Sequence, residues 1–135
     1  MSELDKKTKK LLEGLLAKAD EKLRAAQELM RVEAYDDAVS RAYYSAFHAA
    51  QALLLSEGLS AKTHRGVLNL FGLYFVKTGK FDKKFGRFLS NLKSDRENGD
   101  YEIFSFIDEE AMHIALEEAE AFLKEAKRYL AKYLK

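Results

Sequence analysis

Apolar side chains recur at steps of three and four residues along almost the whole 135-residue chain, which is the spacing that lines up one face of an α-helix. No segment shows the strict apolar and polar alternation of a half-buried strand. The chain also lacks proline, has only 7 glycines and is rich in Ala, Leu, Lys, Glu and Arg, which favour helix. We therefore expect an all-α fold with a single domain over residues 1–135.

Breaks in this pattern predict five helices, at about residues 4–32, 36–58, 63–76, 82–98 and 108–134. Asp36 and Asp37 are expected to cap the second helix and Gly58 to end it, while Ser60 or Thr63 is expected to cap the third. The third helix is apolar on most of its circumference, so we expect it to be central. Short connections favour an antiparallel, up-and-down bundle.

The long helices have distinct faces that should pack in this bundle. Small residues on the second helix would allow a close approach to a neighbouring helix or to a second copy of the chain; they are Ala42, Ser45, Ala46, Ala49 and Ala50. The buried stripe of the first helix is expected to be Leu11, Leu15, Ala19, Leu23, Ala26 and Met30. The stripe of the last helix is expected to be Ala111, Ile114, Ala115, Ala119, Phe122, Ala126 and Leu130.

The second predicted helix also carries the residues that look most like a functional site. Arg41, Tyr44 and His48 are spaced by three and four residues, so a guanidinium, a phenol and an imidazole share one face. The alternative is that the aromatic side chains simply pack beside the neighbouring apolar stripe. Spacing alone leaves both interpretations open.

Charge is distributed unevenly along the chain. The net charge is +1, but residues 1–60 carry −1, residues 61–93 carry +7 and residues 94–135 carry −5. A polyanion would be expected to contact the middle segment, unless the acidic last helix folds beside it and cancels its field. His64 and Arg65 begin the third helix in this segment, where a phosphate can bind to the helix N-terminus. Alternatively, Thr63 only caps that helix and both basic residues are solvated.

Other classes of site are not expected. The chain has no cysteine and only 3 histidines, which lie in different segments. Glu110 and His113 have the Glu-x-x-His spacing of di-iron bundles, but a second such pair is missing. We therefore expect no metal, and the absence of a glycine-rich phosphate loop or dinucleotide fingerprint gives no reason to expect a cofactor. The charged N-terminal segment resembles neither a signal peptide nor a membrane span, so we expect a cytoplasmic protein.

Three segments carry a resemblance to a known family: SRAYYSAFHAAQALL at 40–54, KTHRGVLNLFGLYFVKTG at 62–79 and SDRENGDYE at 94–102. In this order they resemble the HEPN domains, specifically the small, stand-alone prokaryotic branch. The resemblance implies an antiparallel helical bundle, commonly a homodimer. It also implies a partner, a minimal nucleotidyltransferase, with which the protein forms a toxin and antitoxin pair. Many members of the family are metal-independent ribonucleases with an arginine and a histidine separated by four to six residues.

Two places in this sequence correspond to that ribonuclease motif. Arg41 and His48 have six residues between them, which fits the spacing. In the toxins that this branch resembles, however, the pair lies near the end of the fourth helix and a tyrosine follows. The corresponding stretch here begins at Arg96, with Asp100 and Tyr101 where the histidine would be expected.

The resemblance and the residues together give three candidate functions. First is binding of RNA or a nucleotide, in which Arg41 and Arg96 hold a phosphate, Asp100 orients the arginine and the remaining contacts come from Tyr44, His48, His64, Arg65 and Tyr101. Second is an endoribonuclease in which His48 transfers protons and the same arginines and tyrosines position the phosphate. Third is a structural helical adaptor.

Overall fold

The computed structural model describes residues 4–101 and 107–134, and the side chains of all of these except residues 99–101. The described chain has five α-helices and, within those ranges, no strand: α1 (Lys6–Arg31), α2 (Tyr35–Ser56), α3 (His64–Phe71), α4 (Lys83–Tyr101) and α5 (Glu109–Leu130). A π-helical turn (Gly72–Val76) continues α3, and a 3-10 turn (Ala131–Tyr133) follows α5. The all-α bundle predicted from the sequence is therefore confirmed. None of the helices in these ranges is both long and apolar enough to cross a lipid bilayer.

The helix boundaries follow from local capping chemistry. Asp5, Thr63 and Asp108 each precede a helix, and their side-chain oxygens accept a hydrogen bond from the backbone N–H three residues later, at 2.7, 2.9 and 2.8 Å. Such bonds satisfy N–H groups that have no partner inside the helix. Gly58 and Gly79 have φ values of +74° and +82°, a conformation that glycine adopts without steric cost. They lie in the turns that separate α2, α3 and α4.

The expected cap of α2 was wrong. Ala34 precedes the helix and makes no side-chain capping bond, whereas Asp36 and Asp37 lie in the first turn. There the two carboxylates interact favourably with the positive end of the helix dipole. Asp36 Oδ1 also accepts a hydrogen bond from the Ile107 N–H at 3.3 Å. Asp36 thus connects the start of α2 to the segment that leads into α5.

The second helix, not the third, is the centre of the bundle. α2 contacts each of the other four α-helices, and its predicted small residues are fully buried, as Ala42, Ala46 and Ala49 illustrate. Ser45 Oγ donates a hydrogen bond of 2.8 Å to the Ala19 carbonyl of α1, which requires the two helices to approach closely. Small side chains on α2 therefore allow α1 to pack directly against it.

The third helix lies at the edge, contrary to the expectation from its composition. Phe71 and Phe75 are fully buried and stack against each other with ring centroids 5.6 Å apart. Leu73 and Tyr74, between them, are 52% and 45% exposed. The segment has more apolar residues than its single core-facing side can bury, so an apolar circumference did not indicate a central position.

The predicted stripes of α1 and α5 are partly correct. In α1, Ala19 and Ala26 are buried, but Leu11 is 53% exposed and the core positions near it are Leu12 and Leu16. Adjacent leucines fit two phases of the helical pattern, and the sequence alone does not select between them. In α5 the predicted stripe is correct from Ala115 to Leu130, with Met112, Leu116 and Leu123 also buried, but Ile114 is 47% exposed.

Candidate functional site: an aromatic and basic cluster on α2

Among the residues that the structure describes, one stripe of α2 is not covered by the rest of the bundle. Its exposed or half-buried positions include Arg41, Tyr44, His48, Gln51 and Leu55, which recur at steps of three and four residues. The side chains between them are mostly buried. Arg41, Tyr44 and His48 therefore share one face of the helix, as their spacing predicts.

The uncovered stripe meets a histidine from α3. The His64 imidazole stacks on Phe47, with ring centroids 4.2 Å apart and planes inclined by 15°. Its Nδ1 lies 2.7 Å from the hydroxyl oxygen of Tyr43, which is fully buried. Thr63, one residue earlier, caps α3 and fixes where His64 enters this contact. The first residue of α3 is thus held on α2 by both stacking and a hydrogen bond.

An arginine from α4 reaches the same rings. The guanidinium carbon of Arg96 is 5.3 Å from the Tyr44 ring centroid and 5.7 Å from that of Tyr43, within the range of a cation–π interaction. The His64 ring lies 5.6 and 5.9 Å from the Tyr43 and Tyr44 rings. A cation and an imidazole from two different helices therefore converge on one tyrosine pair. We call the six residues Tyr43, Tyr44, Phe47, His48, His64 and Arg96 the α2 cluster.

Both imidazoles of the α2 cluster have lowered pKa values. For His64 the main cause is burial, and the positive charges of Arg96 and Lys93 lower the pKa further. For His48 burial is again the main cause of the lower pKa; a hydrogen bond to Gln51 at 3.0 Å opposes it, and Lys18 and Lys22 of α1 add to it. An unperturbed imidazole titrates near pH 6.5, so both rings are neutral at pH 7. The positive charge here comes from arginine and lysine.

The Tyr43 hydroxyl stays protonated. Burial raises the pKa of this phenol above its usual value, so it remains a hydrogen-bond donor at physiological pH. We assign it as the donor to His64 Nδ1, which makes Nε2 the protonated nitrogen of that neutral imidazole. His64 would then have an N–H group available in the cluster.

A polar groove between α3 and α4 adjoins the cluster. It encloses about 440 Å³ and is lined by Arg65, Leu68, Asn69, Ser90, Lys93, Ser94 and Glu97, and we call it the α3–α4 groove. Lys93 Nζ lies 2.8 Å from the Glu97 carboxylate. Lys93 and Glu97, which line the groove, are close enough to His64 to affect its pKa, so the groove adjoins the cluster.

The structure brings together most of the residues that the sequence singled out. Tyr44, His48, His64 and Arg96 meet in the α2 cluster, and Arg65 lines the adjoining groove. His64 is not simply solvated, because it is half-buried against Phe47 and Tyr43.

One of the selected residues, Arg41, lies outside this group. It is exposed one turn before Tyr44 and does not line the α3–α4 groove. Asp100 and Tyr101 belong to the last turn of α4 by their backbone, but their side chains lie outside the described part of the structure.

Sequence reasoning missed Tyr43 and Phe47, the residues that hold His64. A signal was present, because consecutive residues point about 100° apart around a helix, so on a helix rich in small apolar residues one of two adjacent tyrosines is expected to face the core. A buried hydroxyl there needs a partner. The partner, however, lies 21 residues away on another helix, and no local pattern identifies it.

The described residues offer no evident metal site. Within them, no group of three or more His, Cys, Asp or Glu side chains is placed to hold an ion. His113, of the Glu-x-x-His pair, is exposed on α5 and lies 3.7 Å from Glu109.

Comparison with known proteins gives consistent matches over nearly the whole chain. The family model described as "HEPN domain" matches residues 12–129. "Putative toxin MJ0605" of Methanocaldococcus jannaschii is 40% identical over 131 residues, which cover 97% of this chain and 97% of that protein. A "UPF0332 protein" of Thermotoga maritima is 40% identical over 114 residues, or 84% of this chain and 86% of that protein.

A solved structure has a similar fold. The crystal structure of TT1696 from Thermus thermophilus superimposes with a TM-score of 0.62 and 24% sequence identity. The alignment covers 89% of this chain and 93% of that one. At this level of identity the similarity concerns the fold alone.

Proposed function

The chain belongs to the HEPN domain family, and on that premise we propose that it is a toxin-like protein that binds RNA through the α2 cluster and works with a minimal nucleotidyltransferase. Two relatives from Methanocaldococcus jannaschii, 40% and 37% identical, are named putative toxins, which supports the toxin-like part of the proposal. The RNA-binding part is supported by the chemistry of the cluster.

One observation carries the binding proposal: His64 and Arg96 come from different helices and lie within 6 Å of the same two tyrosine rings. Arginine suits a phosphate because its planar fork offers five N–H donors and keeps its charge. Aromatic faces are the surfaces on which single-stranded bases stack. A phosphate at Arg96 with a base near Tyr44 would use both features.

The test is direct binding of a fluorescently labelled single-stranded RNA of mixed sequence. Fluorescence anisotropy measures the affinity in buffer that contains a chelator. Arg96→Ala should weaken binding about ten- to a hundredfold, because a hydrogen bond to a charged group contributes roughly 1.5–3 kcal/mol. Arg24→Ala, which removes the same charge from an exposed position on α1, should leave the affinity nearly unchanged. Equal affinities for the wild type and Arg96→Ala would refute the proposal.

A competition experiment shows whether the ligand of the cluster is an RNA strand or a mononucleotide. If the cluster recognises a strand, unlabelled RNA should displace the probe at far lower concentration than AMP. If AMP competes as strongly as RNA, the ligand is a nucleotide and the strand contributes nothing. Thermal unfolding of each variant verifies that the loss of affinity does not come from a loss of fold.

The proposed nucleotidyltransferase partner can be tested by co-expression. A minimal nucleotidyltransferase encoded beside this gene should co-purify with the tagged chain and reduce its toxicity to the host. The homodimer implied by the family resemblance stays a prediction, and sedimentation of the purified chain tests it. A neighbouring gene product that neither binds the chain nor alters its toxicity would argue against the pair.

A second candidate is metal-independent cleavage of RNA, and the neutral imidazole of His48 favours it. The neutral His48, whose Nδ1 donates to Gln51 Oε1, would accept at Nε2 the proton of the 2′-hydroxyl as the 2′-oxygen attacks the adjacent phosphorus and the bond to the 5′-oxygen breaks. The departing 5′-oxygen would take a proton from water, the hydroxide so formed would be neutralised by the proton that His48 has accepted, and Arg96 would stabilise the charge on the phosphorane.

Cleavage is tested by incubating the purified protein with mixed RNA in excess chelator. Turnover by the cluster predicts products with 2′,3′-cyclic phosphate ends. It also predicts a loss of cleavage rate of more than a hundredfold in Arg96→Ala and in His48→Ala. RNA that binds tightly but remains intact would leave binding without turnover as the function.

A further inference from the structure

The α3–α4 groove has a lining that suits a ribonucleotide better than an apolar ligand. Six of its seven lining residues are polar or charged, and they include the cations Arg65 and Lys93, the hydroxyls of Ser90 and Ser94, and the Asn69 amide. Its volume of about 440 Å³ lies within the range of roughly 300–1,000 Å³ typical of small-molecule sites. Most of the lining side chains are exposed at least in part, so a ligand can reach them.

We propose that the α3–α4 groove holds the nucleotide next to the one bound at the α2 cluster, with its phosphate between Arg65 and Lys93 and its 2′-hydroxyl on Glu97. This inference rests on the proposed RNA-binding function and adds to it a second subsite and a reason for selecting RNA over DNA.

The phosphate part of the proposal follows from the position of the groove beside the cluster. Lys93 and Arg96 are three residues apart on α4, so their side chains lie on neighbouring turns of one face. Arg65 follows His64 on the opposite wall of the groove. The charges of Lys93 and Arg96 are close enough to His64 to lower its pKa. A strand bound at Arg96 would therefore meet two cations, Arg65 and Lys93, against the one carboxylate of Glu97 when it continues into the groove.

Binding of a phosphate alone does not explain why the groove contains the acidic residue Glu97. Its hydrogen bond from Lys93 holds the pKa of the Glu97 carboxyl below its usual value, and the nearby Arg96 and His64 act in the same direction. The carboxylate is therefore ionised and only accepts hydrogen bonds. An ionised phosphate has no hydrogen to donate to this carboxylate, whereas a ribose 2′-hydroxyl donates a hydrogen bond that deoxyribose cannot.

Salt dependence of RNA binding tests the phosphate subsite. For a single strand, each phosphate contact contributes about 0.7 to the slope of log K against log salt concentration. Lys93→Ala and Arg65→Ala should together reduce the slope by about 0.7 and weaken binding several-fold at low salt. Lys124→Ala, at an exposed position on α5, should leave the slope unchanged. An unchanged slope in the Lys93 and Arg65 variants would overturn the proposal.

The sugar contact is tested with matched RNA and DNA strands of the same sequence. Glu97→Gln should increase the affinity for DNA, because it removes a repulsive charge, and should reduce the ratio of RNA to DNA affinity several-fold. A ratio equal to that of the wild type would exclude the contact with the 2′-hydroxyl. Circular dichroism and thermal unfolding of each variant identify any loss of fold.

Failure of this proposal differs from failure of the proposed function. If Arg96→Ala abolishes binding while the groove variants keep the wild-type slope and ratio, the cluster binds RNA and the groove does not. If the wild-type protein binds no RNA at physiological salt, both proposals are refuted.

Discussion

Tyr43 is a fully buried phenol at the centre of the α2 cluster, and its hydroxyl oxygen lies 2.7 Å from Nδ1 of His64. A buried hydroxyl without a hydrogen bond is costly, so this pair couples the position of His64 to the core of the bundle. Phe47 adds a stacking contact, with its ring centroid 4.2 Å from that of the imidazole. At the scale of single residues, the position of His64 in the site thus depends on contacts with side chains of the hydrophobic core.

Tyr43→Phe should destabilise the protein by about 1 kcal/mol, the usual net contribution of a hydrogen bond, because it leaves Nδ1 of His64 without this partner. RNA binding should also weaken, since His64 then loses the bond that orients it. The midpoint of urea unfolding measures the first effect and anisotropy the second. Tyr74→Phe, at a 45% exposed position, is the matched control, and equal behaviour of the two variants would contradict the prediction.

The lowered pKa values of His48 and His64 predict how stability depends on pH. In the unfolded chain both imidazoles titrate near pH 6.5, while folding lowers their pKa values, mainly through burial. Between the folded and unfolded pKa values the unfolded chain binds more protons, so the free energy of unfolding should rise with pH up to about 6.5 and level off above it.

Urea unfolding at pH 5, 6 and 7 tests this dependence. His48→Gln and His64→Gln should each make the rise in stability between pH 5 and 7 less steep, because each removes one titrating group. His113→Gln is the control, since that side chain is exposed on α5. If neither variant of the cluster changes the steepness of the curve, the depressed pKa values do not contribute to stability.

At the scale of helices, α3 depends on Thr63, whose Oγ1 accepts a hydrogen bond from the Gly66 N–H at 2.9 Å. Thr63→Ala should destabilise the protein by about 1 kcal/mol, the typical cost of losing an N-cap. It should also weaken RNA binding, because His64 is the first residue of this helix. Thr63→Ser keeps the hydroxyl and should restore both properties in thermal unfolding and anisotropy measurements. No recovery in Thr63→Ser would show that the cap is not responsible.

The helices could be predicted from the sequence because their ends are encoded locally. Thr63, Asp108 and Gly58 perform the capping and terminating roles that their residue types indicate. The central position of α2 could not be read from apolar content, because it depends on small residues that allow neighbouring helices to approach. The choice between Leu11 and Leu12 likewise depends on the direction from which α2 packs against α1.

The candidate site was predictable only where its residues share one helix. Tyr44 and His48 were found from their spacing on α2, and Arg96 and His64 were selected from the resemblance and the charge pattern. That these four side chains meet depends on how α3 and α4 pack against α2, which the sequence does not show. The contact between Phe47 and His64, which lie on different helices, is a consequence of that packing.

At the scale of the whole molecule, the exposed stripe of α2 and the α3–α4 groove together offer a route for a long anion across the described surface. α2 is covered by its neighbours except along the stripe that carries the α2 cluster, and the α3–α4 groove adjoins it. Among the described residues that line this groove, none belongs to the acidic α5. Glu97 of α4 is the acidic residue among those lining residues, and it is paired with Lys93. The lining therefore keeps an excess of positive charge, which favours anion binding in this groove.

This arrangement predicts that RNA binding is coupled to the uptake of a proton. The positive charges of Arg96 and Lys93 help to keep His64 neutral, and a bound phosphate would offset those charges and raise the pKa of His64. RNA affinity should therefore increase as the pH falls from 8 to 6, by at most about tenfold per pH unit for one proton.

Anisotropy at pH 6, 7 and 8 measures this dependence, and calorimetry in buffers with different ionisation enthalpies counts the protons taken up. His64→Gln should flatten the dependence, whereas His113→Gln should keep it. The effect requires the phosphate to lie close to His64, so an affinity with the same pH dependence in wild type and His64→Gln would place the bound strand elsewhere on the molecule.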